Sequence, residues 1–420
     1  MIFPFKYRDI GRDPFDPAHR IEREVGERGR RLFIGLDLDP GFRKVCGALS
    51  VIEGKGKYLR VVGTFCLENE LDKHTRKTLT QFVAQAENTL IDWRAIQEDV
   101  ALAFATMADE LKSQAGKYVD RLMAIATRDP GVWIRESMGP SRYFPLCDPV
   151  VLAETTGITV IDSFSVRDLI AEGTGQGLFA MPAWLLLADR NKPIAQHNRV
   201  YVKIGPRSEA FLLPASDGLD VEIPDVRHVE IDAVAILKQY FDLQDQTFET
   251  TLHELNIQGH CNSELVSHFR QCIHNQKEPS LKVQTNDSCV ARSFVVALIE
   301  EIQQQLTSQS GSLDVHEIVV DATEPLLGSF VNQFQRTFAE SEIQPWTSLF
   351  EQPGNSSAIL VAILGAMNVD QLPGNIPWIT GAKSQKILGR ITPGSPSNWR
   401  QLLREMADFQ PPAMRLRDAV

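Results

Sequence analysis

The sequence predicts an α/β protein made of two lobes that share one plan. Two stretches open alike, one near Phe33 and one near Val200, each with an apolar strand, a glycine-containing connection and a second strand. Long segments with apolar residues at helical spacing separate and follow them. A length of 420 residues exceeds what one ordinary core accommodates and fits two domains. The expected division is an N-terminal extension over 1–30, a first lobe over 31–196, a second over 197–397, and a C-terminal helix over 398–420 that packs on the core.

The first strand is read from Leu32, Phe33, Ile34 and Leu36, and ends at Asp-Leu-Asp-Pro-Gly. Cys46 to Ile52 and Tyr58 to Leu67 are the next two strands, joined across Glu53-Gly-Lys-Gly-Lys57. Lys73 to Gln114 is helical, with Leu79, Phe82, Val83 and Ala86 on one face, and Tyr118 to Ala126 is a short apolar segment. Val150 to Thr156 reads as a helix and Ile158 to Ile161 as a β-branched buried strand. Arg199 to Ile204 and Ala210 to Leu213 form the second strand pair, around Gly205-Pro206. Ser263 to Ile273 and Ala291 to Leu306 are amphipathic helices, Ile318 to Asp321 is a strand, and Leu326 to Phe338 a helix. Ser357 to Met367 is an apolar helix, and the tail sets Trp399, Leu402, Leu403, Met406 and Phe409 on one face.

Composition narrows the function classes. Hydrophobic residues make up 43% and charged residues 23%, as in soluble globular proteins. No apolar window is long enough for a membrane span, and the Arg-, Asp-, Glu- and Pro-rich start has no apolar signal region. A net charge of −11 disfavours nucleic acid, whose phosphates need clustered Lys and Arg. Six cysteines without CxxC spacing suggest thiols in a reducing cytoplasm. His260, Cys261, His268, Cys272 and His274 fit no closed zinc spacing.

One stretch is more specific than composition. Asp370-Gln-Leu-Pro-Gly-Asn-Ile-Pro-Trp-Ile-Thr-Gly-Ala-Lys-Ser-Gln-Lys-Ile-Leu-Gly-Arg-Ile-Thr-Pro-Gly394 resembles the C-terminal signature of anhydro-N-acetylmuramic acid kinases. Other stretches resemble that family in the same order: Cys147-Asp-Pro-Val-Val-Leu, Gly175-Gln-Gly177 with Met181-Pro-Ala-Trp184, Arg199 to Gly205, and Asn262-Ser-Glu-Leu-Val. The resemblance spans Leu32 to Pro393. It implies the two-lobed actin-like ATPase architecture of sugar kinases, Hsp70 and actin, with nucleotide in a cleft between lobes. It also implies ATP- and Mg²⁺-dependent phosphorylation of 1,6-anhydro-N-acetylmuramic acid, an amino sugar of cell-wall recycling, as water opens the anhydro ring.

By that resemblance Asp168 is the catalytic base, taking a proton from water. Asp148, Arg167, Gly175 and Gln176 are the substrate-binding candidates, and Asp162 is a second candidate carboxylate. Gly35, Asp37, Gly41, Lys44 and Gly205 are the nucleotide-binding candidates. Asp37 doubles as the metal candidate, because Ile34-Gly-Leu-Asp-Leu resembles the wider superfamily's Ile-Gly-Ile-Asp-Leu-Gly opening.

Five loops depart from the family pattern. Phosphate loops work through backbone N–H groups and need Gly and small hydroxyl residues. The family's Met-Ser-Gly-Thr-Ser-Leu-Asp-Gly is Asp37-Leu-Asp-Pro-Gly-Phe-Arg-Lys44 here, with a proline that has no N–H. Asp39 sets a carboxylate where triphosphate would lie. At about 4 Å and an effective dielectric near 20, one such like-charge pair costs roughly 4 kcal/mol, which Arg43 and Lys44 are placed to offset. The other departures are Arg128-Asp-Pro-Gly131, Gly205 to Glu209, Ile223 to His228, and Val320 to Pro325. The expectation is therefore a kinase fold with impaired or absent ATP chemistry. The alternatives are a non-catalytic sugar- or partner-binding sensor or scaffold, and another phosphotransferase or hydrolase of the superfamily. A helix-rich first lobe also makes a homodimer an expectation.

Overall fold

The computed structural model describes residues 29–84, 90–134, 142–190, 197–215, 224–238, 240–241, 248–275, 286–307, 315–350 and 355–408. Among the described residues the strands run β1 (Arg30–Leu38), β2 (Lys44–Glu53), β3 (Arg60–Glu70), β4 (Leu122–Arg128), β5 (Val132–Ile134), β6 (Arg142–Phe144) and β7 (Val160–Asp162). They continue as β8 (Asn198–Lys203), β9 (Arg207–Leu213), β10 (Arg227–Asp232), β11 (Val315–Asp321), β12 (Glu342–Pro345) and β13 (Arg390–Thr392). The helices begin with α1 (Lys73–Ala84), α2 (Leu90–Gln114), α3 (Pro149–Thr156), α4 (Phe164–Ile170), α5 (Ala180–Leu187), α6 (Ala233–Leu237) and α7 (Phe248–Gln258). They end with α8 (Ser263–Asn275), α9 (Asp287–Thr307), α10 (Glu324–Thr337), α11 (Ser356–Val369), α12 (Pro377–Thr380) and α13 (Pro396–Asp408).

Two compact units emerge, Met1–Leu186 with Ser357–Val420, and Leu187–Ser356. Strand order shows that they repeat one plan. The first sheet runs β3-β2-β1-β4-β7-β13 and the second β10-β9-β8-β11-β12. In both, three antiparallel strands joined in sequence are followed by two parallel ones. This duplicated α/β unit is the plan of the actin-like sugar-kinase architecture.

The division differs from the boundaries read off the sequence. Residues 357–397 rejoin the first unit rather than the second, because α11 packs into it at backbone distance. A Cβ on Gly35 of β1 would lie 1.9 Å from the Ala358 carbonyl oxygen and 2.5 Å from the Ala362 nitrogen. A Cβ on Gly365 would lie 2.7 Å from the Ala126 Cβ of β4. Small residues on both partners thus let the helix lie directly on the sheet. The opposite face of β1, with Leu32, Ile34, Leu36 and Leu38, packs with Val100, Phe104, Met107 and Leu111 of α2. Both faces of β1 are covered, which is why its sequence reads as a continuous apolar run.

A polar clamp fixes the start of the signature segment. Arg31 and Asp370 are 3% and 1% exposed and pair at 2.5 and 3.0 Å. Arg31 also donates to the Gly54 carbonyl, and Asp370 accepts the Gly56 N–H at 2.8 Å. The second unit has its own core, in which Val200, Val202 and Leu212 of the sheet pack with Phe269, Phe294, Phe330 and Phe334 of the helices.

Several elements were not legible in the sequence. The Arg128-Asp-Pro-Gly131 turn leads into a small β5-β6 hairpin. The stretch matched to a phosphate loop at Ile223 to His228 becomes strand at Arg227, pairing with β9. The tail helix is held less by an apolar stripe than expected. Leu402 is fully buried, Leu403 is 45% exposed, and Phe409 lies outside the described residues. Polar contacts add to the grip: Asn398 accepts the Thr159 N–H at 2.7 Å and donates to the Leu122 carbonyl at 2.9 Å, and Glu405 pairs with Lys55 at 2.8 Å.

Two glycines give opposite expectations. Gly35→Ala forces a methyl into helix backbone and is expected to destabilise by about 3 kcal/mol, the top of the usual overpacking range. Gly328 lies in α10 with nothing within 4 Å of an added Cβ. Gly328→Ala is therefore expected to stabilise by roughly 0.5–1 kcal/mol. Urea midpoints of the two variants against wild type check both signs.

Candidate functional site

In open α/β sheets, ligands bind beyond the carboxyl ends of the strands. In the first unit β1, β4 and β7 run parallel, so their ends bring Asp37, Arg128, Asp129 and Asp162 to one edge. Asp37 lies opposite Arg128 in the register and is 6% exposed. The Arg128 guanidinium approaches its carboxylate at 3.6 Å and covers the Phe179 ring at 4.6 Å.

The turn between β1 and β2 closes on itself. Asp39 N–H donates to the Lys44 carbonyl at 3.0 Å and Phe42 N–H to the Asp39 carbonyl at 2.8 Å. Arg43 N–H donates to the Asp39 carboxylate at 3.3 Å, and Arg43 also grips that carboxylate with its guanidinium at 2.9 and 3.1 Å. Pro40 has no N–H, so within 39–43 only the Gly41 amide is not committed to the turn. Phe42 takes a left-handed φ of 54° and is buried. Lys44 turns to Glu68 at 2.6 Å. Burial pulls the Lys44 ammonium down, but the neighbouring Cys46 and the bond to Glu68 outweigh it, so its pKa is raised.

Asp162 ends β7 and is 3% exposed. Arg390 of β13 binds it in a fork, at 3.1 and 2.6 Å, and the Ser163 hydroxyl adds a bond at 2.7 Å. Ser163, where α4 begins, sits at φ 56°.

Asp168 lies on the inner face of α4 and is wholly buried. Its Oδ2 accepts the Gly175 N–H at 2.9 Å and its Oδ1 accepts from the Asn375 amide at 2.8 Å. The Gly173 N–H donates to its main-chain carbonyl at 2.9 Å. A Cβ on Gly173 would come within 2.1 Å of Oδ2, so no other residue fits there without moving the carboxylate. Gly175 and Gly177 have φ of 70° and 68°, which glycine adopts freely. Gly175 packs beneath Trp133, and half-buried Gln176 follows it. Arg167, one residue before Asp168, is exposed and donates to the Ile387 carbonyl at 3.2 Å. Asp148 is apart from this group: it caps α3 through the Val150 N–H at 2.8 Å and pairs with Arg94.

In the second unit, Gly205 occupies the β8-β9 turn, which Ser208 closes by donating to the Gly205 carbonyl at 3.1 Å. At the end of β11, Asp321 is 1% exposed and receives the hydroxyls of Ser356 and Tyr201. Burial, with the Asp321 charge beside it, pushes the Tyr201 phenol well up. Among the described residues no group of three or more His, Cys, Asp or Glu is placed to hold a metal ion.

The structure therefore brings Asp168, Arg167, Gly175 and Gln176 together, and joins Asp37 to the first turn with Gly41 and Lys44. Gly35 has a different place, beneath α11. Sequence reasoning did not single out Asn375 or Arg390 as site residues, though both lie in the signature segment. Their signal was the buried acids they meet, Asp168 and Asp162, each more than 200 positions away.

Asp129 yields a pH expectation. It is buried, accepting the Tyr143 hydroxyl at 3.0 Å and the Leu146 N–H at 2.9 Å. Burial outweighs these bonds and pushes its pKa up from 3.8 to about 6. A raised folded-state pKa means stability that is full below the unfolded value and is lost as pH rises through the folded one. Wild type is thus expected to lose this contribution between about pH 4 and 6. In Asp129→Asn, whose amide oxygen still accepts both bonds, that part of the slope should vanish from urea midpoints measured across the same range.

The family profile described as "Anhydro-N-acetylmuramic acid kinase" matches residues 62–216, a span that holds Asp148, Asp168, Gly175 and Gln176. The anhydro-N-acetylmuramic acid kinase of Shewanella woodyi is 22% identical over 339 residues, covering 77% of this chain and 89% of that protein. The Xylella fastidiosa enzyme of the same name is 24% identical over 347 residues, covering 77% of this chain and 86% of its own length. The match to the Gloeobacter violaceus relative is 27% identical and spans about half of it, 48% against 44% of this chain. Among solved structures, an activator of 2-hydroxyisocaproyl-CoA dehydratase from Clostridium difficile is 9% identical, with a TM-score of 0.35 over 81% of this chain and 96% of its own. A ROK hexokinase from Thermus thermophilus is 14% identical, with a TM-score of 0.30 over 80% and 97%. Scores that low add nothing to the strand order described above. By the profile match over residues 62–216 and the two long alignments, the chain is similar to the anhydro-N-acetylmuramic acid kinase family.

Proposed function

We propose that this chain is an amino-sugar-binding protein of the kinase family in which ATP chemistry is impaired or absent. The observation that carries this reading is the closed β1-β2 turn. A phosphate loop must direct several N–H groups outward. Here Asp39, Phe42 and Arg43 spend theirs inside the turn, Pro40 has none, and the Asp39 carboxylate holds the Arg43 side chain. The other nucleotide-side features lean the same way. The Asp37 carboxylate already faces the Arg128 guanidinium, and Ser208 closes the Gly205 turn. These residues do not fit ATP with Mg²⁺ as the family resemblance implies.

The sugar side is better kept. Asp168, in the place of the family's base, is bound from α4 by the Gly175 N–H of the loop of Gly173 to Gly177, with Arg167 before it in α4 and Gln176 in that loop. A chain that takes up 1,6-anhydro-N-acetylmuramic acid without turning it over acts as a sensor or scaffold. The six cysteines are all thiols, which supports the expected reducing cytoplasm. Among the described residues no helix is long and apolar enough to cross a membrane.

Calorimetry with Mg-ATP and with the anhydro sugar, followed by an ADP-release assay with both, tests the reading. The expected result is saturable sugar binding, at best millimolar ATP binding, and no ADP release above background. Micromolar ATP affinity with sugar-dependent release that disappears in Asp168→Asn would show a working kinase and overturn it. Sedimentation of the same samples checks the expected homodimer.

A further inference from the structure

We propose that Asp168 and Asn375 form a clasp that shapes the loop of Gly173 to Gly177, so that Asn375 is a positioning residue for amino-sugar binding. The clasp itself rests on geometry alone, and its link to the sugar rests on the reading above.

Both partners are buried, Asp168 at 0% and Asn375 at 1% exposure, and each polar atom of the pair has a partner. The Asn375 amide donates to Asp168 Oδ1 at 2.8 Å and to the Ser384 carbonyl at 3.2 Å. Its Oδ1 accepts the Lys386 N–H at 2.6 Å. Asp168 Oδ2 accepts the Gly175 N–H at 2.9 Å. One chain of bonds therefore runs from Lys386 through Asn375 and Asp168 to the glycine loop. Two flanking backbone bonds close the seam, from the Thr174 N–H to the Thr380 carbonyl at 2.7 Å and from the Lys383 N–H to the Ala171 carbonyl at 2.8 Å. Gly173 carries the other half of the fit, since a side chain there would displace the Asp168 carboxylate.

The pairing is asymmetric in a way that allows a swap. The Asn375 amide is the donor and the Asp168 carboxylate the acceptor. Asp168→Asn puts two amides face to face, and Asn375→Asp puts two carboxylates face to face. Made together, the changes reverse the bond: the new amide at 168 donates to the new carboxylate at 375. The Gly175 and Lys386 N–H groups keep acceptors, and the one contact that turns unfavourable is at Ser384, whose carbonyl then faces a carboxylate oxygen.

Amide hydrogen exchange over 171–177 in the full chain, alongside calorimetry with 1,6-anhydro-N-acetylmuramic acid, tests this. Each single variant should exchange about tenfold faster in the loop and bind the sugar about tenfold more weakly, as expected when a buried polar partner is left unpaired. The swap should restore both. Unchanged loop exchange in Asn375→Asp overturns the clasp. Restored exchange without restored sugar binding overturns the positioning role, because the carboxylate at 168 is then needed by the ligand itself. If one single variant fails to fold, as read by circular dichroism, the other and the swap still decide. If wild type takes up no amino sugar, the functional reading fails separately, while loop exchange still judges the clasp.

Discussion

Helix α11 can lie on the first sheet only because glycine and alanine line both sides of the contact. Gly35 on β1 and Ala126 on β4 face Ala358, Ala362 and Gly365 on the helix, at distances that leave no room for another carbon. Close packing of this kind is intolerant of volume, since interiors pack at crystal-like density and redistribute strain poorly. Much else follows from it. A helix seated there ends beside the first sheet, so the segment after it, from Asp370 onward, is delivered to the first unit and not to the second. The resemblance-based expectation for Gly35 was a nucleotide role, whereas its physical role in this fold is to admit a helix.

Once delivered, the signature segment is fixed by three sets of polar contacts alongside its buried Ile376 and Leu388. Asp370 binds Arg31 and the Gly56 N–H, Asn375 binds Asp168, and Arg390 forks onto Asp162. Each of these acids is almost wholly buried, where an unpaired carboxylate would be strongly disfavoured. The same three contacts tie distant parts of the chain to the start of β1 and the β2-β3 connection, to α4 and to the end of β7. The segment therefore contributes to the candidate sugar site through what it fixes in place. The candidate nucleotide side contrasts with this. Its turns at Asp39 to Arg43 and at Gly205 to Ser208 satisfy their own polar groups, so little is left to direct at a phosphate.

Much of the framework was legible in the sequence because it depends on local periodicity. The runs at Leu32, Cys46, Tyr58, Arg199 and Ile318 became strands, and those at Val150, Ser263, Ala291, Leu326 and Ser357 became helices, within a few residues. The short edge strands β12 and β13 and the β5-β6 hairpin escaped, since three or four residues carry too little pattern to separate from loop. The tail helix was read as an apolar stripe, yet it buries Leu402 while polar contacts of Asn398, Gln401 and Glu405 hold it to the first unit. The candidate site was legible only in part. Asp168 and the Gly175-Gln176-Gly177 run stood out as residues, but their partner Asn375 was hidden by a separation of 207 positions.

The sequence by itself determined the two-fold plan, the resemblance to one kinase family, and the substitution of Pro and Asp into the first turn, because apolar alternation, motif order and a missing N–H are properties of neighbouring residues. Only the tertiary structure decided which unit receives residues 357–397, which partner each buried acid meets, and that the first turn closes on its own amides. Those outcomes depend on which atoms come within hydrogen-bond distance after the sheets form, and spacing along the chain carries no record of that distance.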